Sequence, residues 1–238
     1  MASLYLIPVP IAEDALHSIP EYVRSTVHPL NCFVAERAKT ARHFLKAIGT
    51  EQPLQELELI EMDKRDLQPA LQAFRKAVKT GRDIGLLSEA GCPGVADPGA
   101  EFVALAHELG MQVKPLVGPS SLLLALMASG MSGQQFAFHG YLPPKRPELA
   151  KALRRLETES QRLNQTQLFI ETPYRSQMVL EVALESLQPN TRFGIAQDLT
   201  GQSEWIQSLS IQDWRKENSR QLEKLPAVFM IFAGNKLR

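Results

Sequence analysis

The chain has 238 residues, with 26 basic and 26 acidic side chains and a formal net charge of zero at pH 7. That balance excludes a protein that coats long stretches of nucleic acid through many phosphate contacts, although it leaves room for a local basic patch. At 44% hydrophobic the chain can bury one sizeable core or two small ones, yet its apolar runs fall far short of the roughly twenty residues of a membrane helix. Cys32 and Cys92 are too few for a disulfide framework or a thiolate zinc site, so a reducing cytoplasm is the expected compartment. Met1 to Pro10 lacks a basic start and a small-residue cleavage site, and it reads as a first strand, not a signal peptide.

Leu4 to Ile7, Cys32 to Ala35, Leu57 to Ile60, Ile84 to Leu87 and Gln112 to Pro115 are expected as five short strands. Helical patterns run between them: Ala38, Ala41, Leu45 and Ile48 share one apolar face, and Leu67, Leu71, Phe74 and Val78 share another. Strands alternating with helices imply a mostly parallel sheet covered on both sides. After Gly118 the rhythm changes. Leu122 to Met127 is apolar all round, as in a helix buried between layers. Strands follow near Phe136 and at Gln167 to Glu171, Thr191 to Gln197, Glu204 to Gln207 and Val228 to Ala233. The turn-rich "DLTGQS" joins two of these so closely that they should pair antiparallel, giving a mixed sheet. The expectation is two α/β domains, residues 1–117 and 118–238, with no internal repeat of 20 to 50 residues.

Two strand-to-helix turns stand out. One is "LLSEAGCPGVADPG", Leu86 to Gly99; the other is "LVGPSSLLLALMASG", Leu116 to Gly130. Gly lets a ligand approach the main chain, and Pro98 suits a first helical position. Free N–H groups and hydroxyls at such helix starts bind small polar or anionic ligands, although ordinary connections also use Gly and Pro. The chain has no G-x-G-x-x-G after its first strand and no G-x-x-x-x-G-K-(S/T), which weakens a dinucleotide oxidoreductase or a P-loop enzyme. The five histidines lack metal-ligand spacing, so no metal is expected. No basic residue flanks Cys92, which reads as a spectator thiol.

Taken together, S-(D/E)-A-G-x-P-x-x-x-D-P-G, then G-P-x-(A/S) opening a helix, then "FAFHGYLPPK" (Phe136 to Lys145) resemble the tetrapyrrole methylase superfamily. Within it the chain is most similar to the bacterial small-subunit rRNA 2′-O-ribose methyltransferases. "LYLIPVPI" and "LPAVFMIFAGNK" extend the likeness over nearly the whole chain. Pro8-Val9-Pro10-Ile11 matches the P-x-P-I-G of the rRNA-modifying members, with Ala12 in place of Gly, and not the Gly-rich segment of the tetrapyrrole-modifying ones. The resemblance implies S-adenosylmethionine (SAM) in a cleft between the two domains. It places Pro8, Ala90, Gly91, Cys92, Val95, Ser120, Ser121, Glu171 and Leu199 along the cofactor. It also implies a homodimer and an RNA substrate, with no membrane partner.

Glu36 ends the second strand, where the family carries an acid, and it is the expected catalytic base; the other reading is a helix-start carboxylate. The following "KTARHFLK" departs from the rRNA-type Glu-Asp-Thr-Arg and points to a paralogous branch. Arg175 in "ETPYRS" keeps the family's Arg and suits either a phosphate or a structural acid. On Pro147 to Leu163, Leu149, Leu153, Leu156 and Leu163 share one sector, opposite Lys151, Arg154, Arg155 and Arg162. With Lys145 and Arg146 this forms a basic ridge, either an RNA contact or a solvated face. Methylation of a tetrapyrrole or another small molecule, and a non-catalytic RNA-binding role, stay open as alternatives.

Overall fold

The computed structural model describes residues 2–63, 65–217 and 221–234. The chain divides into two compact units, Met1–Ser120 and Ser121–Arg238. The first holds strands β1 (Ser3–Ile7), β2 (Cys32–Ala35), β3 (Glu58–Glu61), β4 (Ile84–Leu87) and β5 (Gln112–Pro115). They form one all-parallel sheet in the order β3-β2-β4-β1-β5. β2 and β4 are buried along their whole length, as a sheet covered on both faces requires. Successive residues of β2 feed opposite layers. Cys32 and Val34 pack with Phe74 of α3 (Gln68–Lys79) and Phe102 of α4 (Ala100–Glu108). Phe33 and Ala35 pack with Val23 of α1 (Glu21–Val27) and Phe44 of α2 (Ala38–Ile48). Each such fully buried Phe contributes about 1.5–3 kcal/mol.

One element appears that the sequence pattern did not mark, and one local expectation differs. The α1 segment carries no long apolar period, and the structure makes it a helix whose Val23 and Val27 reach the core. Pro98 is not the first residue of α4; Gly99, at φ 131, caps that helix instead. The chain needs a conformation closed to L side chains at Gly99, so the helix starts two residues after Pro98, at Ala100.

The second unit holds a mixed sheet, β6-β7-β10-β8-β9, built from β6 (Phe136–Tyr141), β7 (Thr166–Glu171), β8 (Arg192–Gln197), β9 (Trp205–Ser210) and β10 (Ala227–Phe232). β6 and β7 run parallel, and the remaining pairs are antiparallel, including β8 with β9. One face carries α6 (Arg146–Leu163) and α7 (Ser176–Ser186) over Phe169, Phe193 and Phe229. The indole of Trp214, in the short α8 (Ile211–Trp214), donates to the Phe193 carbonyl at 2.7 Å. On α6, Leu149, Leu153 and Leu156 are buried, but Leu163 is 39% exposed. Ser160 completes the buried stripe instead: its hydroxyl donates to the Gln165 carbonyl at 2.7 Å and accepts from the Ala233 amide at 2.9 Å.

α5 (Ser121–Ser129) was expected to be buried all round, and it is not. Ala125, Leu126 and Ser129 are buried, whereas Leu123 and Met127 are 51% and 78% exposed. The helix touches β8, β9 and β10 and so uses only one of its apolar faces within this unit.

Glu157 supplies a stability test. Its buried carboxylate accepts from the Gln188 amide at 2.8 Å and from the Thr191 hydroxyl, tying α6 to the turn before β8. Glu157→Ala leaves both donors without this acceptor, so chemical denaturation should show a loss of about 1–3 kcal/mol. A loss within error of zero would mean that water replaces the carboxylate.

Candidate active site

In a parallel sheet the carboxyl ends of all strands lie on the same side, and ligands bind outside them at the point where the strand order reverses. Here β2 continues outward to β3, while its neighbour β4 continues across β1 to β5. The reversal therefore lies between β2 and β4. Glu36 follows β2 directly, and the Ser88–Gly99 loop follows β4. Glu36 is buried, at 7% exposure, one residue before the Arg37 N-cap of α2.

Long-range contacts join the loops after β1, β4 and β5. Val9 and Gly91 exchange a pair of backbone hydrogen bonds, at 2.9 and 3.1 Å. Gly91 does this at φ 71, a conformation that Gly adopts without strain, and the Ser88 hydroxyl donates to its carbonyl at 2.9 Å. The Cys92 thiol donates to the Pro119 carbonyl at 3.4 Å, so the β4 and β5 loops touch. Burial pushes that thiol above its ordinary pKa, which keeps it protonated and poorly nucleophilic. Cys32 is pushed up to about 11, chiefly by burial. A Cβ on Gly118 would overlap the ring of Pro8, so the main chain of the β5 loop lies directly against the Pro8 ring of the β1 loop.

The β4 loop offers its main chain outward. Ala90 and Val95 are exposed, and nothing lies within 4 Å of where a Cβ on Gly94 would point. Ser120 and Ser121 are half-buried at the start of α5, whose first N–H groups have no partner within the helix. Such loops suit a ligand held through backbone N–H groups, a carboxylate among them. Pro8, Ala90, Gly91, Cys92, Val95 and Ser120 thus lie on three connected loops of the first unit. Ser121, Glu171 and Leu199 belong to the second.

Glu171 ends β7 with its side chain buried. It accepts from the Thr172 amide at 2.7 Å and pairs with Arg175 at 2.9 Å. Arg175 also donates to the Pro143 carbonyl at 3.1 Å, so this guanidinium is held by structural partners. Leu199 is buried between Asp198 and Thr200, which both have positive φ. The ridge residues Lys145, Arg154 and Arg155 are exposed. Arg146 bridges Glu181 and Glu185 of α7 at 2.8 and 3.0 Å, and Arg155 pairs with Glu159 at 3.8 Å. One contact was not foreseen: the Thr40 hydroxyl of α2 meets the Glu89 carboxylate at 2.6 Å, linking the β2 and β4 ends. The S-E-A-G motif contained this acid, but nothing local pairs it with α2.

The family model for Tetrapyrrole (Corrin/Porphyrin) Methylases matches residues 11–213. The chain belongs to the tetrapyrrole methylase family. As a member it is a methyltransferase. Relatives named ribosomal RNA small subunit methyltransferase I include one from Buchnera aphidicola subsp. Schizaphis graminum, 27% identical over 99% of this methylase and 80% of the relative. That of Bacillus subtilis is 30% identical over 79% and 60%, and that of Escherichia coli O157:H7 is 28% identical over 90% and 72%. Among solved structures, the methyltransferase CobJ is similar at a TM-score of 0.60, with 19% identity over 99% of this chain and 95% of that one. Uroporphyrin-III C-methyltransferase from Thermus thermophilus, complexed with S-adenosylhomocysteine, has a TM-score of 0.55 and 14% identity over 97% of both chains. Among the described residues no helix is long and apolar enough to cross a membrane, and no three His, Cys, Asp or Glu side chains gather as metal ligands.

Proposed function

We propose that this methylase transfers the methyl group of SAM to a ribose hydroxyl of RNA; the relatives named ribosomal RNA small subunit methyltransferase I support an RNA acceptor. The observation that carries the reading is the meeting of the β1, β4 and β5 loops beside a buried acid at the end of β2. Pro8, Ala90, Gly91, Cys92, Val95, Ser120, Ser121, Glu171 and Leu199 are the residues proposed to line SAM. When bound, SAM supplies an electrophilic sulfonium methyl; the acceptor oxygen takes it and S-adenosylhomocysteine leaves. The chain's own part is to align the acceptor oxygen and to remove its proton, which we assign to a carboxylate oxygen of Glu36. Lys145, Arg154 and Arg155, with Arg146 and Arg175 as more heavily engaged neighbours, are the proposed RNA contacts. The open Leu123 and Met127 of α5 favour a homodimer, because a second copy would cover them. A cytoplasmic location follows from an RNA substrate.

The substrate test uses isotopically labelled SAM and purified RNA from cells lacking this gene. Label mapped to one ribose of small-subunit rRNA supports the reading; label found only in a small-molecule extract replaces it with tetrapyrrole-type methylation. Titration calorimetry tests the pocket separately. One S-adenosylhomocysteine per chain should bind, and Gly91→Leu should remove the heat. A Cβ at Gly91 would sit 3.2 Å from Ile11 in a strained backbone conformation, beside the Val9 bridge. Unchanged binding in Gly91→Leu would discard the assigned loop.

A further inference from the structure

α2 has an outward face whose charge neither the fold nor the SAM loops use. Placing its residues at 100° intervals puts Ala41, Phe44, Leu45 and Ile48 in the sector that faces the core. Lys39, Arg42, His43 and Lys46 occupy the opposite sector, and all four are exposed. Lys39 to Lys46 spans two turns, about 10 Å along the axis. Among the described residues, no carboxylate lies within ion-pair distance of Lys39, Arg42 or Lys46. On α6, Lys145, Arg146 and Arg155 each have an acid; among the described residues Lys151 and Arg154 have none, and α2 has no paired cation on this face at all. Helix α2 contains no Asp or Glu.

This arrangement works against the helix itself. Lys39 and Arg42 stand at i, i+3, and Arg42 and Lys46 at i, i+4, spacings at which like charges repel. Lys39 also lies in the first turn, where the helix dipole disfavours a cation. An external anion relieves both conflicts. The location is equally specific. α2 leaves the sheet edge directly after Glu36, and Thr40 ties its first turn to Glu89 of the β4 loop. Glu89 meets the flank of the helix and not its basic face.

We infer that Lys39, Arg42 and Lys46 hold the phosphate backbone of the RNA whose ribose is presented to Glu36. This rests on the RNA reading above and adds to it a contact surface separate from α6. Phosphates flanking the target nucleotide would run along α2 while the ribose lies at the β2–β4 edge. Contacts of this kind position the substrate and carry no base specificity.

The experiment compares the full chain with Lys39→Gln/Arg42→Gln/Lys46→Gln, using deproteinised small-subunit ribosomal RNA as the probe. Dissociation constants are measured from low to moderate salt. A second variant, Arg75→Gln/Lys76→Gln/Lys79→Gln, removes the same charge from α3 on the other face of the sheet. Loss of three phosphate contacts should lower the slope of log affinity against log salt by roughly two to three for the α2 variant. Its S-adenosylhomocysteine binding should stay unchanged, and the α3 variant should keep the original slope. An unaltered slope in the α2 variant, or an equal fall in both variants, overturns the α2 assignment while the RNA reading stands. An unmutated chain that neither binds nor labels this RNA overturns the RNA reading and α2 with it. Anionic phosphatidylglycerol vesicles form the last arm: if the α2 variant loses only vesicle binding, the face meets lipid and the inference is wrong.

Discussion

Glu36→Gln is expected to slow single-turnover methyl transfer by at least about a hundredfold, while S-adenosylhomocysteine affinity and folding persist. A ribose hydroxyl is a poor nucleophile until its proton leaves, and a positioned base contributes on the order of 10²–10⁴ in rate. Glu36 is placed for that role: it is buried, and it follows β2 at the point where the strand order reverses beside β4. Gln keeps the shape and most of the hydrogen-bonding capacity but cannot take the proton. Rapid-quench measurement with labelled SAM would separate this step from binding and release. A tenfold or smaller loss would mean that alignment alone drives transfer. A fall in stability with no specific kinetic change would return Glu36 to the role of a helix-start carboxylate.

Gly118→Ala should produce the largest effect on cofactor binding for the smallest change in side chain. The added methyl would overlap the Pro8 ring. That ring cannot swing aside by a rotamer change, because proline's φ is fixed, and the adjacent Val9 is bonded to Gly91. The β1 loop must therefore move as a body, breaking the Val9–Gly91 pair or lifting the β5 loop from Cys92. Overpacking of this kind costs typically 1–3 kcal/mol. Urea unfolding should show a loss in that range, and calorimetry should show S-adenosylhomocysteine affinity falling at least about tenfold, as a site displaced by a fraction of a methyl diameter would give. Pro8→Gly in the Gly118→Ala background removes the overlap and should restore much of the stability. Wild-type behaviour of Gly118→Ala alone would show that the two loops separate freely, and their close approach would then not shape the pocket.

The parts of the site that were legible in the sequence were those written over a few neighbouring residues. The turns at Ser88–Gly99 and Gly118–Ser121 carry their own small-residue chemistry, and the apolar faces of α2, α3 and α6 recur at helical spacing. α1 was not legible, because its two core contacts, Val23 and Val27, lie in a short segment with no longer period to reveal it. α5 misled for the opposite reason. A helix apolar on all sides has no moment to indicate which face is covered, and only packing shows that Leu123 and Met127 stay open. The ridge before and along α6 looked uniformly basic, yet Arg146 is held by two acids of α7 that lie far along the chain.

By itself, then, the sequence determined the order of the strands along the chain and of the strongly periodic helices, the two small-residue turns, the acid after the second strand and the family to which the chain belongs. Each of these depends on backbone preferences and periodicity over a turn or two, which neighbouring residues set. Strand order, and with it which loops share an edge, was decided only by the tertiary structure. Placing β4 between β2 and β1 brings Gly91 to Val9, Cys92 to Pro119 and Glu89 to Thr40. Those pairings arise because buried strands must satisfy every backbone group and cover both faces. No local pattern records which distant strand does so.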